Sequence, residues 1–124
     1  MSTVNKILDN HDMSADIESS FYRLFGNEFN KPGQSAVQIN WDGVTGTLDG
    51  EVEVYLTIDD EAGTDDNASK ALMETVNVTS ASNLTNTTLI LVNGVVRYCK
   101  VKYIKNGVTG GDLTVFAAKV GEGR

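Results

Sequence analysis

The stretch from Thr87 to Lys105 constrains the fold most, because it holds two apolar runs joined by the dipeptide Asn93-Gly94. Asn and Gly both tolerate the positive φ angles of a two-residue type I′ turn, so this arrangement predicts a β-hairpin. The second run alternates with a period of two, which is typical of a strand with one buried and one solvated face. We expect Cys99, Val101 and Tyr103 to face the core, and the lysines of this run to lie in water.

Three further segments show the same alternation of apolar and polar residues. The apolar members are Val37, Ile39 and Trp41 in the first segment, Val52, Val54, Leu56 and Ile58 in the second, and Leu113, Val115 and Ala117 in the third. Asx-Gly dipeptides lie between the alternating segments and predict turns. Six or seven short strands at regular spacing predict an all-β fold, a single antiparallel β-sandwich with either Ig-like or jelly-roll strand order.

The first 34 residues fit two structures about equally well. Helical spacing connects Ile17, Phe21, Leu24 and Phe25, whereas Met13, Ala15 and Ile17 alternate as they would in a strand. We divide the chain into an extended N-terminal arm over residues 1–12, a sandwich domain over 13–120 and a tail over 121–124.

Charge and composition exclude several classes of function. The chain of 124 residues carries a net charge of −7, which argues against nucleic acid and against an anionic membrane surface as partners. Cys99 is the single cysteine, so neither an internal disulfide nor a cysteine zinc cluster is expected. The N-terminus lacks the pattern of a signal peptide and no apolar run reaches ~18 residues, so we expect a soluble chain made in a cytoplasm.

Few residues offer catalytic or metal-binding chemistry. The single histidine, His11, has no candidate nucleophile beside it in the sequence, and no phosphate-binding glycine loop precedes a helix, so we expect no enzyme and no cofactor. The oxygen-rich loop with Asp59, Asp60, Asp65 and Asp66 is a weak candidate for a hard cation such as Ca²⁺. Because its spacing differs from that of an EF-hand, we expect a solvated hairpin tip and no metal.

The run from Ser35 to Thr57 combines an alternating strand that ends in Trp41-Asp42-Gly43, a Thr-Gly-Thr turn and a long alternating strand. The segment from Arg97 to Tyr103 and the glycine-rich turn after it extend the pattern to about Lys119. This arrangement resembles small β-sandwich structural proteins of tailed bacteriophages. One departure is the acidic loop, which stands where that family has a short turn, so the resemblance assigns no role to it.

The resemblance implies a virion protein made in the bacterial host cytoplasm, either a capsid decoration or cement protein or a head-fibre or neck attachment module. Its expected partners are capsid or neck and portal-proximal proteins and copies of itself. We expect Val4, Ile7 and Leu8 of the arm to insert into an apolar groove on the partner. One alternative is a carbohydrate-binding adhesion module with Tyr55 and Tyr98 as its glycan platform. Another alternative is a homo-oligomeric tail or fibre module.

Overall fold

The computed structural model describes residues 2–24, 33–78, 88–94 and 97–120, and this part of the chain is a β-sandwich. Its elements, in chain order, are β1 (Ser2–Asp12), β2 (Ile17–Glu18), β3 (Tyr22–Arg23), β4 (Gly33–Gly46), β5 (Glu51–Thr57), a 3₁₀ helix (Asp60–Gly63), β6 (Ala71–Asn77), β7 (Thr88–Gly94), β8 (Tyr98–Ile104) and β9 (Val108–Val120). Within these residues, no helix is long and apolar enough to cross a membrane.

The strands form two antiparallel sheets with the connectivity of a jelly roll. Sheet A has the order β1-β9-β4-β7, and sheet B has the order β2-β8-β5-β6 with β3 also paired to β8. Because β2 and β3 pair with different parts of the same edge of β8, they act as one interrupted strand. The eight strands then pair first with last, second with seventh, third with sixth and fourth with fifth, which is the jelly-roll order. The all-β antiparallel sandwich is therefore confirmed, and its strand order is the jelly roll.

The two sheets share one core, which is built from the predicted alternating residues. The inward faces contribute Val37, Ile39 and Trp41 from β4, Val52 and Val54 from β5, Cys99, Val101 and Tyr103 from β8, and Leu113 and Val115 from β9. All of these side chains are buried. Each fully buried aliphatic side chain stabilises the fold by about 1.5–3 kcal/mol relative to an exposed one.

The predicted hairpin at Asn93-Gly94 is wrong, because its two arms lie in different sheets. Strand β7 pairs with β4, and Asn93-Gly94 forms the end of that strand, whereas β8 pairs with β5. The type I′ turn lies instead at Asn106-Gly107, whose φ angles are 42° and 95°. In this turn the Lys105 carbonyl accepts a hydrogen bond from the Val108 amide at 2.9 Å. The turn takes the chain from sheet B to sheet A, so the jelly roll crosses between its layers here.

Residues 2–12 belong to the sandwich rather than to an arm outside it. They form β1, which pairs with β9 from Ser2 opposite Val120 to Asp12 opposite Asp112. The expectation that Leu8 inserts into a partner is wrong, because its side chain is buried in this chain's own core. Ile7 is half-buried against the same core, and the side chain of Val4 lies outside the described residues.

The helical spacing after Met13 does not produce a helix. Residues Ile17–Glu18 and Tyr22–Arg23 form β2 and β3 on the edge of β8, and Leu24 is buried in the core. The Leu24 amide donates to the Arg97 carbonyl at 2.8 Å, so pairing with the sheet replaces intrahelical hydrogen bonds. Phe25 and the tail 121–124 lie outside the described residues.

Replacing Leu8 by Ala tests the assignment of β1 to the core. We expect Leu8→Ala to lower the free energy of unfolding by about 2–5 kcal/mol, because it leaves a cavity, and Ile7→Ala to lower it less. Urea denaturation of the isolated chain followed by circular dichroism measures both. A negligible change for Leu8→Ala would mean that β1 is detached from the sandwich in solution.

The buried phenol of Tyr103 predicts a loss of stability at alkaline pH. Its Oη donates to the Met13 carbonyl at 2.7 Å, and burial, with smaller effects of Asp16 and Asp12, raises the pKa of Tyr103 to about 12. An unfolded tyrosine has a pKa of about 10, so the stabilisation that comes from keeping this phenol protonated in the folded state is fully present below pH 10. This stabilisation is lost as pH rises toward 12, at up to ~1.4 kcal/mol per pH unit.

We expect Tyr103→Phe to be less stable than the natural chain at pH 8 by about 1 kcal/mol, because the hydrogen bond is lost. Its stability should also fall less steeply than that of the natural chain above pH 10. Urea midpoints measured across this range compare the two slopes, and parallel slopes would contradict the assignment.

Candidate functional site

Part of the outer face of sheet B, at Tyr98 and Lys100, is covered by the loop of residues 59–70, which we call the acidic loop. Ala62 and Ala68 of the loop are buried against Tyr98, and Phe21 packs against the same cluster. The loop backbone also approaches the sheet closely at Gly63, where an added Cβ would come within 2.6 Å of the Tyr98 hydroxyl. The loop therefore joins the paired strands β5 and β6 with most of its described residues exposed, as predicted, but its two alanines pack on the sheet.

Lys100 lies beneath this cover and not in water. Its side chain is 3% exposed, and its Nζ donates to the Asp66 carbonyl at 2.5 Å and lies 3.3 Å from the Glu18 carboxylate. The Phe21 ring centroid is 4.7 Å from the same ammonium, which is within range of a cation–π interaction. A buried charge needs such partners because its hydration is lost. The alternation of β8 correctly predicts that Lys100 points outward from the core. The prediction that it lies in water is wrong, because the acidic loop buries it.

Two carboxylates of the acidic loop hold the loop's own backbone. Asp59 Oδ1 accepts from the Glu61 amide and Asp65 Oδ1 accepts from the Asn67 amide, each at 2.9 Å. These are the local turns that Asp side chains favour. The side chain of Asp60 lies outside the described residues. Among the residues that the structure does describe, no group of three or more His, Cys, Asp or Glu could hold a metal ion.

The predicted glycan platform is wrong, because one of its two rings is covered. Tyr55 and Tyr98 lie on the neighbouring strands β5 and β8, on the outer face of sheet B. Tyr98 is buried under the acidic loop, so it offers no ring face to a sugar. Tyr55 is half-buried, its hydroxyl donates to Glu53 at 2.7 Å, and Lys70 lies over its ring at 5.1 Å.

Cys99 and His11, the single cysteine and the single histidine, each pack against other parts of the sandwich. Cys99 is buried as expected, and desolvation raises the pKa of its thiol to about 12, so the reactive thiolate is disfavoured at neutral pH. His11 Nε2 lies 2.8 Å from the Ala15 carbonyl oxygen, and its ring packs edge-on against Tyr103.

A second surface, at the edge of sheet B, was missed by the sequence patterns. Ile58, Leu72 and Met73 are 69%, 52% and 40% exposed, and we call them the β6 edge surface. Strand β6 is the edge strand of sheet B, so one side of its backbone pairs with no other strand of the described chain. A β-bulge leaves Met73 unpaired between Leu72 and Glu74 in β6. Ile58 lies just after the end of β5 and is exposed, so the apolar alternation predicted from Val52 onward does not bring it into the core.

An apolar depression of about 330 Å³ lies beside this edge. It is lined by Leu56, Thr57, Ile58, Ser69, Lys70 and Ala71. Exposed apolar residues next to an open strand edge are typical of surfaces that bind another chain. Here they mark the best candidate for a protein-binding site.

No protein-family model matches this chain, and no curated protein matches it either. The assignment of function therefore depends on the fold and on these surfaces.

Replacing Lys100 by Met tests whether its ammonium holds the acidic loop on the sheet. We expect Lys100→Met to lower the free energy of unfolding by about 1–3 kcal/mol, because the Asp66 carbonyl loses its donor. The loop should also become a faster site of cleavage after Glu61 by glutamyl endopeptidase.

Lys102→Met is the matched control, since Lys102 lies on the same face of β8 and is only half-buried. It should change stability by less than about 0.5 kcal/mol. Equal cleavage rates after Glu61 in both variants would contradict this role of Lys100.

Proposed function

We propose that this protein is a non-enzymatic structural component of a tailed-bacteriophage virion, a capsid decoration or cement protein or a head-fibre or neck attachment module. The observation that carries the proposal is the jelly-roll sandwich, an architecture used by viral capsid and lectin domains. This support is an analogy of architecture, since a fold alone does not determine function. The resemblance of residues 35–119 to phage structural proteins points in the same direction.

The β6 edge surface is the docking site in this proposal. An extended segment of a virion protein adds to the open edge of β6 through main-chain hydrogen bonds, and its apolar side chains cover Leu72 and Met73. This site replaces the docking through Leu8 that the sequence predicted, because Leu8 is buried.

Charge favours a different protein, rather than a second copy, as the occupant of the edge. Symmetric antiparallel pairing of two β6 strands around their middle residue would place Glu74 opposite Glu74, and like charges directly opposite each other are destabilising. The net charge of −7 adds a general repulsion between copies. The proposed partner therefore presents a neutral or basic segment.

Docking of this kind stabilises a particle by mass action. A protein that binds the assembled lattice but not its free subunits adds its binding free energy to the stability of the lattice. The sandwich needs no catalytic residues for this role. Its rigid core holds the edge strand in place, and the protein is made in the host cytoplasm before it joins the virion.

Replacing Met73 by Glu tests the docking site. We expect Met73→Glu to weaken binding to particles that lack this protein at least tenfold, about 1.4 kcal/mol, because a carboxylate would be desolvated at the interface. Co-sedimentation with the particles measures occupancy, and circular dichroism checks the fold.

Leu48→Glu is the matched control, because Leu48 is also 40% exposed but lies between β4 and β5. It should bind like the natural chain. Full occupancy by Met73→Glu would rule out the β6 edge surface. A stable trimer of the isolated chain in light scattering would favour the homo-oligomeric tail or fibre module instead.

A further inference from the structure

The outer face of sheet A carries a polar depression of about 210 Å³, which we call the sheet A depression. Its lining residues are Lys6, Asn10, Asn40, Trp41, Asp42, Asp112, Thr114 and Phe116. They come from β1, β4 and β9, so the depression lies over the middle of the sheet and on the face opposite the core. It shares no lining residue with the β6 edge surface.

Register irregularities in both β1 and β4 flank the depression. In β1, the register steps from Leu8 opposite Val115 to His11 opposite Leu113, so two residues of β1 lie opposite Thr114. One of them is Asn10, which has a positive φ of 50°. Positive φ is uncommon for residues other than Gly, and Asn is among the residues that adopt it most readily.

Another bulge lies in β4, on the other side of β9. There the register steps from Asp42 opposite Asp112 to Thr45 opposite Gly110, and Gly43 has a φ of 65°. Both neighbours of β9 are therefore bulged beside residues 111–114. Such bulges occur frequently beside binding sites, where they redirect side chains.

The polar groups of the depression are positioned by hydrogen bonds and by strand pairing. Thr114 Oγ1 accepts from the Asn10 amide at 3.1 Å and donates to Asn10 Oδ1 at 3.3 Å. Asp42 and Asp112 are exposed and directly opposite each other, an arrangement of like charges that is unfavourable without a hydrogen-bond donor between them.

Phe116 is half-buried in the same face and supplies an apolar ring beside these groups. Lys6 Nζ lies over this ring, 5.8 Å from its centroid, so Lys6 moves aside when a ligand packs on the ring. The same ammonium forms an exposed ion pair with Asp9 at 3.3 Å, and such pairs are weak enough to open for a ligand.

We propose that the sheet A depression binds one ring of a neutral sugar. Sugar hydroxyls donate to the carboxylates of Asp42 and Asp112, which relieves their repulsion, and the C–H face of the ring packs on Phe116. The two carboxylates and the net charge of −7 disfavour an anionic ligand, while Lys6 disfavours a cationic one. The volume is below the ~300–1,000 Å³ of sites for drug-sized ligands and suits a single ring. This site is independent of the proposed virion role.

Titration of the ¹⁵N-labelled full chain with the methyl glycosides of glucose, galactose, mannose and N-acetylglucosamine tests the proposal by amide chemical shifts. We expect at least one glycoside to shift amides of β9 around Asp112 and Thr114. Glucose 6-phosphate should bind at least tenfold more weakly than methyl glucoside if that glycoside binds.

Phe116→Ala should weaken binding at least tenfold, while Tyr55→Ala, which removes a half-buried outer-face aromatic from sheet B, should leave it unchanged. Asp112→Asn provides a second variant with almost the same shape and should also weaken binding. The proposal is overturned if no glycoside shifts these amides, if the shifts map to sheet B, or if both depression variants bind like the natural chain.

Discussion

The burial of one apolar face of each sheet against the other is the constraint on which the rest of this structure depends. Strand β4 of sheet A brings Trp41 into the core, and strand β8 of sheet B brings Tyr103. Tyr103 also donates from its buried hydroxyl to the Met13 carbonyl, which ties the turn after β1 to sheet B. A sandwich held in this way has a rigid interior, so its function has to lie on its outer faces and edges.

The outer surfaces of the two sheets differ. On sheet B the acidic loop covers Tyr98 and Lys100, and the ammonium of Lys100 satisfies a loop carbonyl that would otherwise lack this donor. On sheet A the outer face carries a polar depression between two bulged strands. The apolar edge at β6 adjoins the end of the acidic loop at Ser69 and Lys70 and shares no residue with the depression on sheet A. The proposed docking edge and the proposed sugar site therefore lie on different sheets.

Sequence patterns predict the inward and outward faces of the strands well. They do not predict which strands pair, because a period of two gives the direction of each side chain but not the sheet to which the strand belongs. Two Asn-Gly dipeptides occur in similar contexts, and the one at Asn106-Gly107 forms the tight turn while the one at Asn93-Gly94 ends a strand.

Burial by distant segments is equally hidden in the sequence. The acidic loop is polar overall, yet its two alanines cover Tyr98, which therefore cannot form part of a glycan platform. Lys100 is buried in the same region and is not solvated. Leu8 looks like part of an amphipathic turn, but its pairing with Val115 places it in the core. Met73 of the β6 edge surface lies at a bulge, which no local pattern indicates.

The most direct test of this account is a map of cross-strand nuclear Overhauser effects in the isotopically labelled chain. The jelly roll predicts contacts of Val101 with Val54 and of Leu113 with Trp41, each between backbone protons of paired strands. It also predicts contacts between β7 and β4 and none between β7 and β8. A continuous ladder of contacts between residues 88–94 and 98–104 would show a hairpin in one sheet and would contradict the account.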